Sequence, residues 1–136
     1  MLTIGELSRR TGVKIPTIRW YEQAGLIDEP GRTAGNQRRY DDADLERLAF
    51  IRHARDLGLG IEAIRELIDL GQHPDKPCAD ADRIAATHLA GIRARIARLK
   101  RLEKELARIA GCRGDTIGEC HVLAALSDHK QCAAEH

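Results

Sequence analysis

The sequence is poor in aromatic residues and contains no long apolar run. Aromatic residues make up 3% of the 136 residues although 43% are hydrophobic, so a core must be built largely from aliphatic side chains. No run of about eighteen apolar residues occurs, which excludes a transmembrane helix. The first residues, MLTIGELSRRTG, also lack the apolar segment of a secretory signal. We therefore expect a cytoplasmic protein with no membrane partner.

Cysteine is scarce as well, with four residues in the chain. In a reducing compartment, so few cysteines are better explained as metal ligands or reactive thiols than as a disulfide framework. Cys112 and Cys120 stand on either side of a loop of Gly, Asp and Thr within GCRGDTIGECHVLAAL. The spacing alone is compatible with a closed turn, a structural zinc site, a catalytic thiol or part of a metal sensor.

Neither sign of charge dominates, since 22 Lys and Arg residues face 21 Asp and Glu residues. The distribution is uneven, because residues 1–40 carry seven basic side chains and only four acidic ones. This excess predicts that any polyanion binds to the amino-terminal part of the chain.

The first forty residues have the pattern of a helix-turn-helix followed by a hairpin. Thr3 and Glu6 form a capping box that begins a helix ending at Gly12, and a second helix follows through IPTIRWYEQAGL to Gly25. An ordinary pair of packed helices with no nucleic-acid role is the alternative. The next segment, LIDEPGRTAGNQRRYD, contains two turn signals and predicts a small wing whose arginines are suited to phosphate contacts.

The rest of the chain is predicted to be helical, with one clear boundary. A helix begins at Asp41 and Asp42 and ends near Leu57, and another covers residues 61–70. The segment GQHPDKP then interrupts the pattern. We expect a DNA-binding domain over residues 1–75, a hinge and dimerisation helix over 76–111, and a metal-binding loop, short helix and tail over 112–136.

A long amphipathic helix is predicted from about residue 80 to residue 110. Its apolar positions have nearly the spacing of a coiled-coil seam and are Leu89, Ile92, Ile96, Leu99, Leu102, Leu106 and Ile109. A helix of about thirty residues is about 45 Å long, more than one small domain can cover. A partner chain would bury this stripe, and the opposite basic face is interpreted as solvated.

Four segments together resemble the amino-terminal half of MerR-family transcription regulators: TIGELSRRTGV, TIRWYEQAGLI, GNQRRY and LERLAFIRHARDLGLGIEAIRELI. The resemblance covers nearly the whole chain. Trp20 stands where such proteins commonly carry Phe or Tyr, a change expected to keep the aromatic packing. The resemblance implies a mainly α fold with a winged helix-turn-helix domain, a long antiparallel coiled-coil dimerisation helix and a short carboxyl-terminal metal-binding loop and helix.

The same resemblance implies a homodimer that binds double-stranded promoter DNA, where RNA polymerase also binds. It places Thr17, Arg19 and Tyr21 on the recognition helix, and it assigns to the wing Arg32, Asn36, Arg38 and Tyr40. The fork of Arg19 can reach a base edge or a phosphate, and the tyrosine hydroxyls of both elements can donate to phosphate oxygens. Tyr21 is equally compatible with a place in the core.

Antiparallel dimer helices would bring Cys78 of one subunit near Cys112 and Cys120 of the other. Three thiolates suit Zn(II), Cd(II), Pb(II) or Hg(II), whereas two suffice for Cu(I) or Ag(I). Relatives that sense divalent metals carry a cysteine at the position of Cys78, although the loop between Cys112 and Cys120 is similar to the copper type. We favour a divalent ion because Cys78 supplies a third thiolate.

Several histidines and one more cysteine are weaker candidate ligands. His121 is the strongest of them because it follows Cys120, and the others are His129, Cys132 and His136. Three further histidines are interpreted as structural, namely His53, His73 and His88. Residues 1–77 offer no nucleophile and base pair, so an enzyme is not expected, and a plain metal buffer is the other class to be considered.

Overall fold

The computed structural model describes residues 1–32, 38–111 and 114–127. These residues form a mainly α-helical protein, as predicted. The helices are α1 (Ile4–Thr11), α2 (Ile15–Gln23), α3 (Asp42–Asp56), α4 (Ile61–Gly71), α5 (Ala79–Ile109) and α6 (His121–Ser127), and two short strands are β1 (Gly31–Arg32) and β2 (Arg38–Arg39). A single 3₁₀ turn covers Ile117–Glu119. The chain divides into two compact units, Met1–Ile84 and a second unit that begins at Ala85.

Helix α1 begins and ends at the residues that the sequence predicts. The Thr3 hydroxyl accepts a hydrogen bond from the backbone N–H of Glu6 at 3.1 Å. Gly12 adopts a left-handed conformation, with φ of 75°, and its N–H donates to the carbonyl of Ser8 at 2.8 Å. A residue with a Cβ atom strains this conformation, and an added Cβ would also meet the guanidinium of Arg52.

Helix α2 follows after three residues and carries Pro16 in its first turn, where a missing N–H costs nothing. The helix ends at Gln23, and Gly25 turns the chain with φ of 77°. The N–H of Leu26 then donates to the carbonyl of Tyr21 at 3.0 Å. The predicted glycine stop at position 25 is thus confirmed.

The predicted wing is an antiparallel pair in which Gly31 lies opposite Arg39 and Arg32 lies opposite Arg38. An isolated bridge joins Leu2 to Tyr40, with hydrogen bonds of 2.7 Å and 2.8 Å between their backbone groups. The start of the chain therefore lies beside the strand that ends the wing.

Helix α3 begins with a capping box between two aspartates. The carboxylate of Asp41 accepts from the N–H of Asp44 at 2.9 Å, and the carboxylate of Asp44 accepts from the N–H of Asp41 at 3.0 Å. The bond from the Asp44 N–H lowers the pKa of Asp41 below its ordinary value of 3.8. Burial raises the pKa of Asp44 above the same value.

The core of the first unit is aliphatic apart from two tyrosines, as the scarcity of aromatic residues requires. Its fully buried large side chains come from the first four helices, from the segment between α2 and β1, and from the residue after β2. They are Leu7, Ile18, Leu26, Ile27, Tyr40, Leu48, Ile51 and Ile64. Trp20 does not join this core. It is 50% exposed, and its ring packs edge-to-face on Tyr21 with centroids 5.7 Å apart.

Helix α5 has 31 residues and carries an exposed apolar stripe. Leu99 and Leu106 are 63% and 61% exposed, and Leu89 and Ile96 are also exposed. Within the second unit, Glu105 and Ala125 are buried, and Arg108 bonds to Glu105 at 2.7 Å. Among the described helices, none is long and apolar enough to cross a membrane. The domain limits predicted at residues 75 and 111 stay predictions.

Candidate DNA-binding surface and metal site

Side-chain hydrogen bonds fix the turn between α1 and α2. The hydroxyl of Ser8 donates to the carbonyl of Val13 at 2.6 Å, and the N–H of Val13 donates to the hydroxyl of Thr11 at 3.2 Å. The Thr11 hydroxyl in turn donates to the carbonyl of Leu7 at 2.8 Å. From α3, the guanidinium of Arg52 donates to the carbonyl of Thr11. These bonds hold α2 at a defined angle to the helices behind it.

Helix α2 presents a polar face to solvent. Arg19 is exposed, Thr17 is half-buried, and Ile18 lies fully in the core. Arg19 is therefore free to reach outward from the helix, as a contact with DNA requires. Its role in DNA binding, like that of Thr17, stays a prediction.

The two tyrosines whose hydroxyls were considered as hydrogen-bond donors to phosphate are both buried. Tyr21 is 6% exposed and Tyr40 is inaccessible to solvent. The hydroxyl of Tyr40 donates to the carboxylate of Glu22, which is itself buried in α2. In this conformation the Tyr40 hydroxyl is engaged within the protein, and the core interpretation of Tyr21 fits its position. Sequence analysis did not identify Glu22 as a structural residue. The only indication in the sequence is its position on the inner face of α2.

The wing carries the remaining predicted DNA contacts. Arg32 and Arg38 are register partners on β1 and β2. Asn36 lies outside the described residues. The pairing brings two arginines to one small hairpin, next to the helix-turn-helix in the sequence.

The candidate metal ligands lie at helix starts or outside the described residues. Cys78 is exposed and immediately precedes α5, with its carbonyl accepting from the N–H of Asp82 at 2.9 Å. Cys120 is half-buried between the 3₁₀ turn and α6, and its carbonyl accepts from the N–H of Ala124 at 3.2 Å. His121 is the exposed first residue of α6. The other candidates fall outside the described residues, namely Cys112, His129, Cys132 and His136.

Thiols and an imidazole are the donors that soft and borderline ions prefer, so the chemistry of this set fits such an ion. Within the described residues, no three potential ligands lie close enough together to hold an ion. Cys78 and Cys120 also belong to different compact units. A site with three ligands from this set therefore needs a candidate outside the described residues, a second subunit, or both.

Cys78 lines a cavity of about 280 Å³ in the first unit, and a histidine that the sequence analysis left as structural lines it too. This histidine, His73, has its Nδ1 atom 3.0 Å from the carbonyl of Asp69. It stands five positions before Cys78, a spacing that could have drawn attention to it.

Comparisons with known proteins agree with the observed fold. Residues 2–70 match the MerR HTH family regulatory protein model, and residues 45–109 match the MerR, DNA binding model. The regulator ZntR of Escherichia coli K12 is 38% identical over 130 residues, which cover 93% of this chain and 92% of ZntR. Heavy metal-dependent transcription regulator 2 of Rhizobium meliloti is 36% identical over 128 residues, covering 93% of this chain and 87% of its own.

A solved structure shows the same architecture. The transcription regulator PbrR691 of Ralstonia metallidurans CH34, in complex with lead(II), is 36% identical and superposes with a TM-score of 0.82. The match covers 93% of this chain and 99% of PbrR691. The chain therefore belongs to the MerR family, as a metal-dependent regulator of transcription that binds DNA and is not an enzyme.

Proposed function

We propose that the protein is a homodimer that activates metal-resistance or efflux genes when a soft divalent ion binds a cysteine site between its subunits. The ion is Zn(II), Cd(II), Pb(II) or Hg(II). The dimer acts in the cytoplasm on double-stranded promoter DNA, together with RNA polymerase. The observation that carries the proposal is the placement of two thiols, one immediately before α5 and one beyond its far end.

The dimer is supported by the apolar stripe of α5. Four large aliphatic side chains on this helix are exposed: Leu89, Ile96, Leu99 and Leu106. Burying an apolar side chain of this size is worth about 1.5–3 kcal/mol, so a second copy of the helix is a strong partner for the stripe. A twofold arrangement of two such helices closes on itself and leaves no end open for further association.

The shared metal site follows from the length of the same helix. A straight helix of 31 residues is about 46 Å long, so Cys78 and the loop after α5 lie beyond the reach of one ion if they belong to one chain. When two copies run antiparallel, the start of one helix lies beside the end of the other. Cys78 of one subunit then joins Cys112 and Cys120 of its partner, with His121 as a further candidate ligand.

The number of thiolates supports a divalent ion. Zn(II) and related ions take three or four soft ligands, whereas a linear Cu(I) or Ag(I) site needs only two. The lead(II) complex of PbrR691 shows that a regulator 36% identical to this chain holds a divalent soft ion. The bound ion would supply a cross-link between the two subunits.

This cross-link would couple the metal to the DNA. Cys78 is joined through the segment of residues 71–77 to α4 and the helix-turn-helix, so an ion held there acts directly on the DNA-binding half. Activation requires that the ion favour one of two DNA-bound conformations. Loss of the ion would silence activation without removing the protein from its operator.

Transcription from the cognate promoter, measured metal by metal at buffered concentrations together with a gel shift, tests this function. Cys112→Ser and Cys120→Ser should each give a protein that binds DNA but cannot be induced. Cys78→Ser should lose the response to divalent ions and retain two thiolates able to hold Cu(I) or Ag(I). Cys132→Ser tests the weaker candidate thiol and should remain inducible if the three proposed cysteines suffice.

Two outcomes would redirect the proposal. A divalent-metal response that survives Cys78→Ser would refute the site between subunits and favour a Cu(I) or Ag(I) regulator that uses Cys112 and Cys120 alone. Tight metal binding with no effect on transcription would make the protein a metal buffer.

A further inference from the structure

The cavity at the start of α5 brings together a thiol, an imidazole and an ammonium group. Cys78, His73 and Lys76 line it, and apolar side chains from α3 and α4, including Phe50 and Leu67, form its wall. Its volume of about 280 Å³ can hold an ion together with ligand side chains from another polypeptide segment. No charged group other than Lys76 lines this cavity in the described part of the chain.

A tight turn after α4 brings His73 and Cys78 to the same cavity. The N–H of His73 donates to the carbonyl of Leu70 at 3.0 Å, and the N–H of Lys76 donates to the carbonyl of His73 at 3.0 Å. The chain therefore reverses between positions 73 and 76. It then enters α5 at Cys78, so two residues that are five positions apart face one space.

The start of α5 is fixed to α4, which holds Cys78 in place. Arg83 on α5 lies 2.7 Å from the carboxylate of Glu66 on α4, and Ile84 is buried. Both side chains of the ion pair are half exposed to water, so the pair contributes little to the free energy of unfolding. Its main effect is to orient the start of α5 relative to α4. Together with the turn, these contacts define the position of the thiol relative to His73.

The hydrogen bond of His73 determines which ring nitrogen is available. Its Nδ1 atom lies 3.0 Å from the carbonyl oxygen of Asp69, and a carbonyl oxygen can only accept. Nδ1 therefore carries a proton and donates it, which leaves Nε2 of the neutral ring with a free lone pair. Metal-binding histidines are commonly oriented by such a bond from their other nitrogen to a backbone carbonyl.

We propose that Nε2 of His73 is the fourth ligand of the metal ion, in the cavity that it shares with Cys78 of its own subunit. This inference rests on the proposed function, which supplies the three thiolates. Zn(II) sites are almost always tetrahedral, and three thiolates leave one position open for an imidazole. A divalent ion with three thiolates and one neutral imidazole bears one net negative charge, which the ammonium group of Lys76 in the same cavity offsets.

The fourth ligand selects among the ions. Imidazole suits Zn(II), whereas a linear Cu(I) or Ag(I) site of two thiolates has no place for it. The site is therefore a zinc-type site with one nitrogen and three sulfur donors. His73 would lie on the DNA-binding side of it, directly after α4, so the ion would bind to this unit through two residues.

The alternative is that His73 only caps the carboxyl-terminal end of α4 through its bond to Asp69. The variant His73→Asn separates the two roles, because the asparagine amide can still donate to that carbonyl but offers no Nε2 atom. His73→Ala removes both functions. His53→Gln, on the exposed face of α3, is the matched control for loss of an imidazole.

The experiment uses the full-length dimer. Zn(II) affinity is measured by competition with a chromophoric chelator, the visible spectrum of the Co(II) form reports the coordination number and donor set, and thermal unfolding of the metal-free protein reports stability. His73→Asn should lower Zn(II) affinity at least about tenfold, or 1.4 kcal/mol, and change the Co(II) spectrum while metal-free stability and Cu(I) affinity are unchanged. His53→Gln should match the wild type in all four measurements.

Unchanged Zn(II) affinity and an unchanged Co(II) spectrum in His73→Asn would overturn the inference. So would a loss confined to thermal stability, which would leave His73 with the capping role alone. Cys120→Ser distinguishes this failure from failure of the proposed function. If Cys120→Ser binds Zn(II) as the wild type does, the cysteine site itself is wrong, whatever His73 does.

Discussion

The hydroxyl group of Tyr40 links the end of the wing to helix α2. Tyr40 follows two arginines in the sequence and for that reason looked like a phosphate contact. Tyr40 is buried and donates to the carboxylate of Glu22, so its hydroxyl links the end of the wing to α2. In the segment RRY, an arginine that is predicted to contact DNA, Arg38, is thus separated by one residue from a buried tyrosine.

Replacing Tyr40 with Phe should destabilise the protein without a specific loss of DNA contacts. The change deprives a buried carboxylate of one hydrogen bond, at a cost of about 1–3 kcal/mol. Urea unfolding measures this cost. Glu22→Gln should lose less, because its amide oxygen can still accept from the hydroxyl. A Tyr40→Phe protein of wild-type stability but reduced DNA affinity would restore the phosphate role.

Arg19 and Arg38 should differ in what they contribute to DNA binding. Arg19→Ala is expected to cost about 1–3 kcal/mol and to relax specificity if the side chain reaches a base edge. Arg38→Ala, on the wing, should weaken binding to all sequences and lower the salt slope by about one. Titrations with operator and random DNA at several salt concentrations measure both effects. Equal losses on both DNAs for the two variants would contradict this division.

At the scale of elements, the start of α3 responds to acid in two opposing ways. Asp41 has a lowered pKa, so its charge stabilises the fold above pH 3.8 and this stability is lost as the pH falls through its folded-state pKa. Asp44 has a raised pKa, so its contribution is present below pH 3.8 and is lost as the pH rises through its folded-state pKa. The two carboxylates of the capping box therefore change the stability of the fold in opposite directions as the pH changes.

Asparagine in place of each aspartate should separate these contributions. Asp41→Asn should be less stable than the wild type at about pH 6, and the difference should shrink at about pH 3. Asp44→Asn keeps an oxygen that can accept from the N–H of Asp41. Its stability relative to the wild type should increase between about pH 3 and about pH 6. Thermal unfolding at the two pH values is the measurement. Parallel curves for the wild type and both variants would show that neither charge is linked to folding.

Most elements were predictable because their ends carry local signals. Thr3 and Glu6, Gly12, Gly25 and the aspartates before α3 act on the backbone within a few residues, and the helices begin and end beside them. The apolar stripe of α5 is a periodic signal of the same local kind. The family and the metal-dependent function followed from motifs that combine several such signals.

Tertiary pairing was not predictable from the same signals. Glu22 and Tyr40 are 18 positions apart, and the sequence does not show that a wing tyrosine folds onto the inner face of α2. Trp20 keeps an aromatic contact by packing edge-to-face on Tyr21, but the sequence did not indicate that its ring lies half exposed outside the core. His73 was set aside since its common cavity with Cys78 depends on a turn that only the fold shows.

At the scale of the whole molecule, the exposed apolar stripe of α5 belongs to the second compact unit, which begins at Ala85. A monomer would expose this stripe to water, at a cost that grows with its area. Because DNA recognition by the family fold is implied to use two half-sites, the proposed dimer would make operator affinity depend on this stripe.

Leu99→Asp should dissociate the dimer and abolish operator binding together. Leu99 is 63% exposed in the single chain, and a carboxylate there would have to be buried unpaired in the dimer. Sedimentation at micromolar concentration and a gel shift on the same samples measure the two effects. Arg101→Asp, two residues further on the opposite side of α5, changes charge without changing the stripe and should remain dimeric. A monomeric wild-type protein would refute the dimer itself.

The pairing of Leu2 with Tyr40 determines where a reporter group can be attached to this protein. Any peptide or dye placed ahead of Met1 is held near the end of β2 by the two backbone hydrogen bonds of that pair, within a few residues of the hairpin that is predicted to contact DNA. Such a label would sterically hinder operator binding, or its signal would change because of contact with the DNA. A fluorophore for anisotropy measurements therefore belongs on the oligonucleotide, and purification handles are best cleaved before affinities are determined.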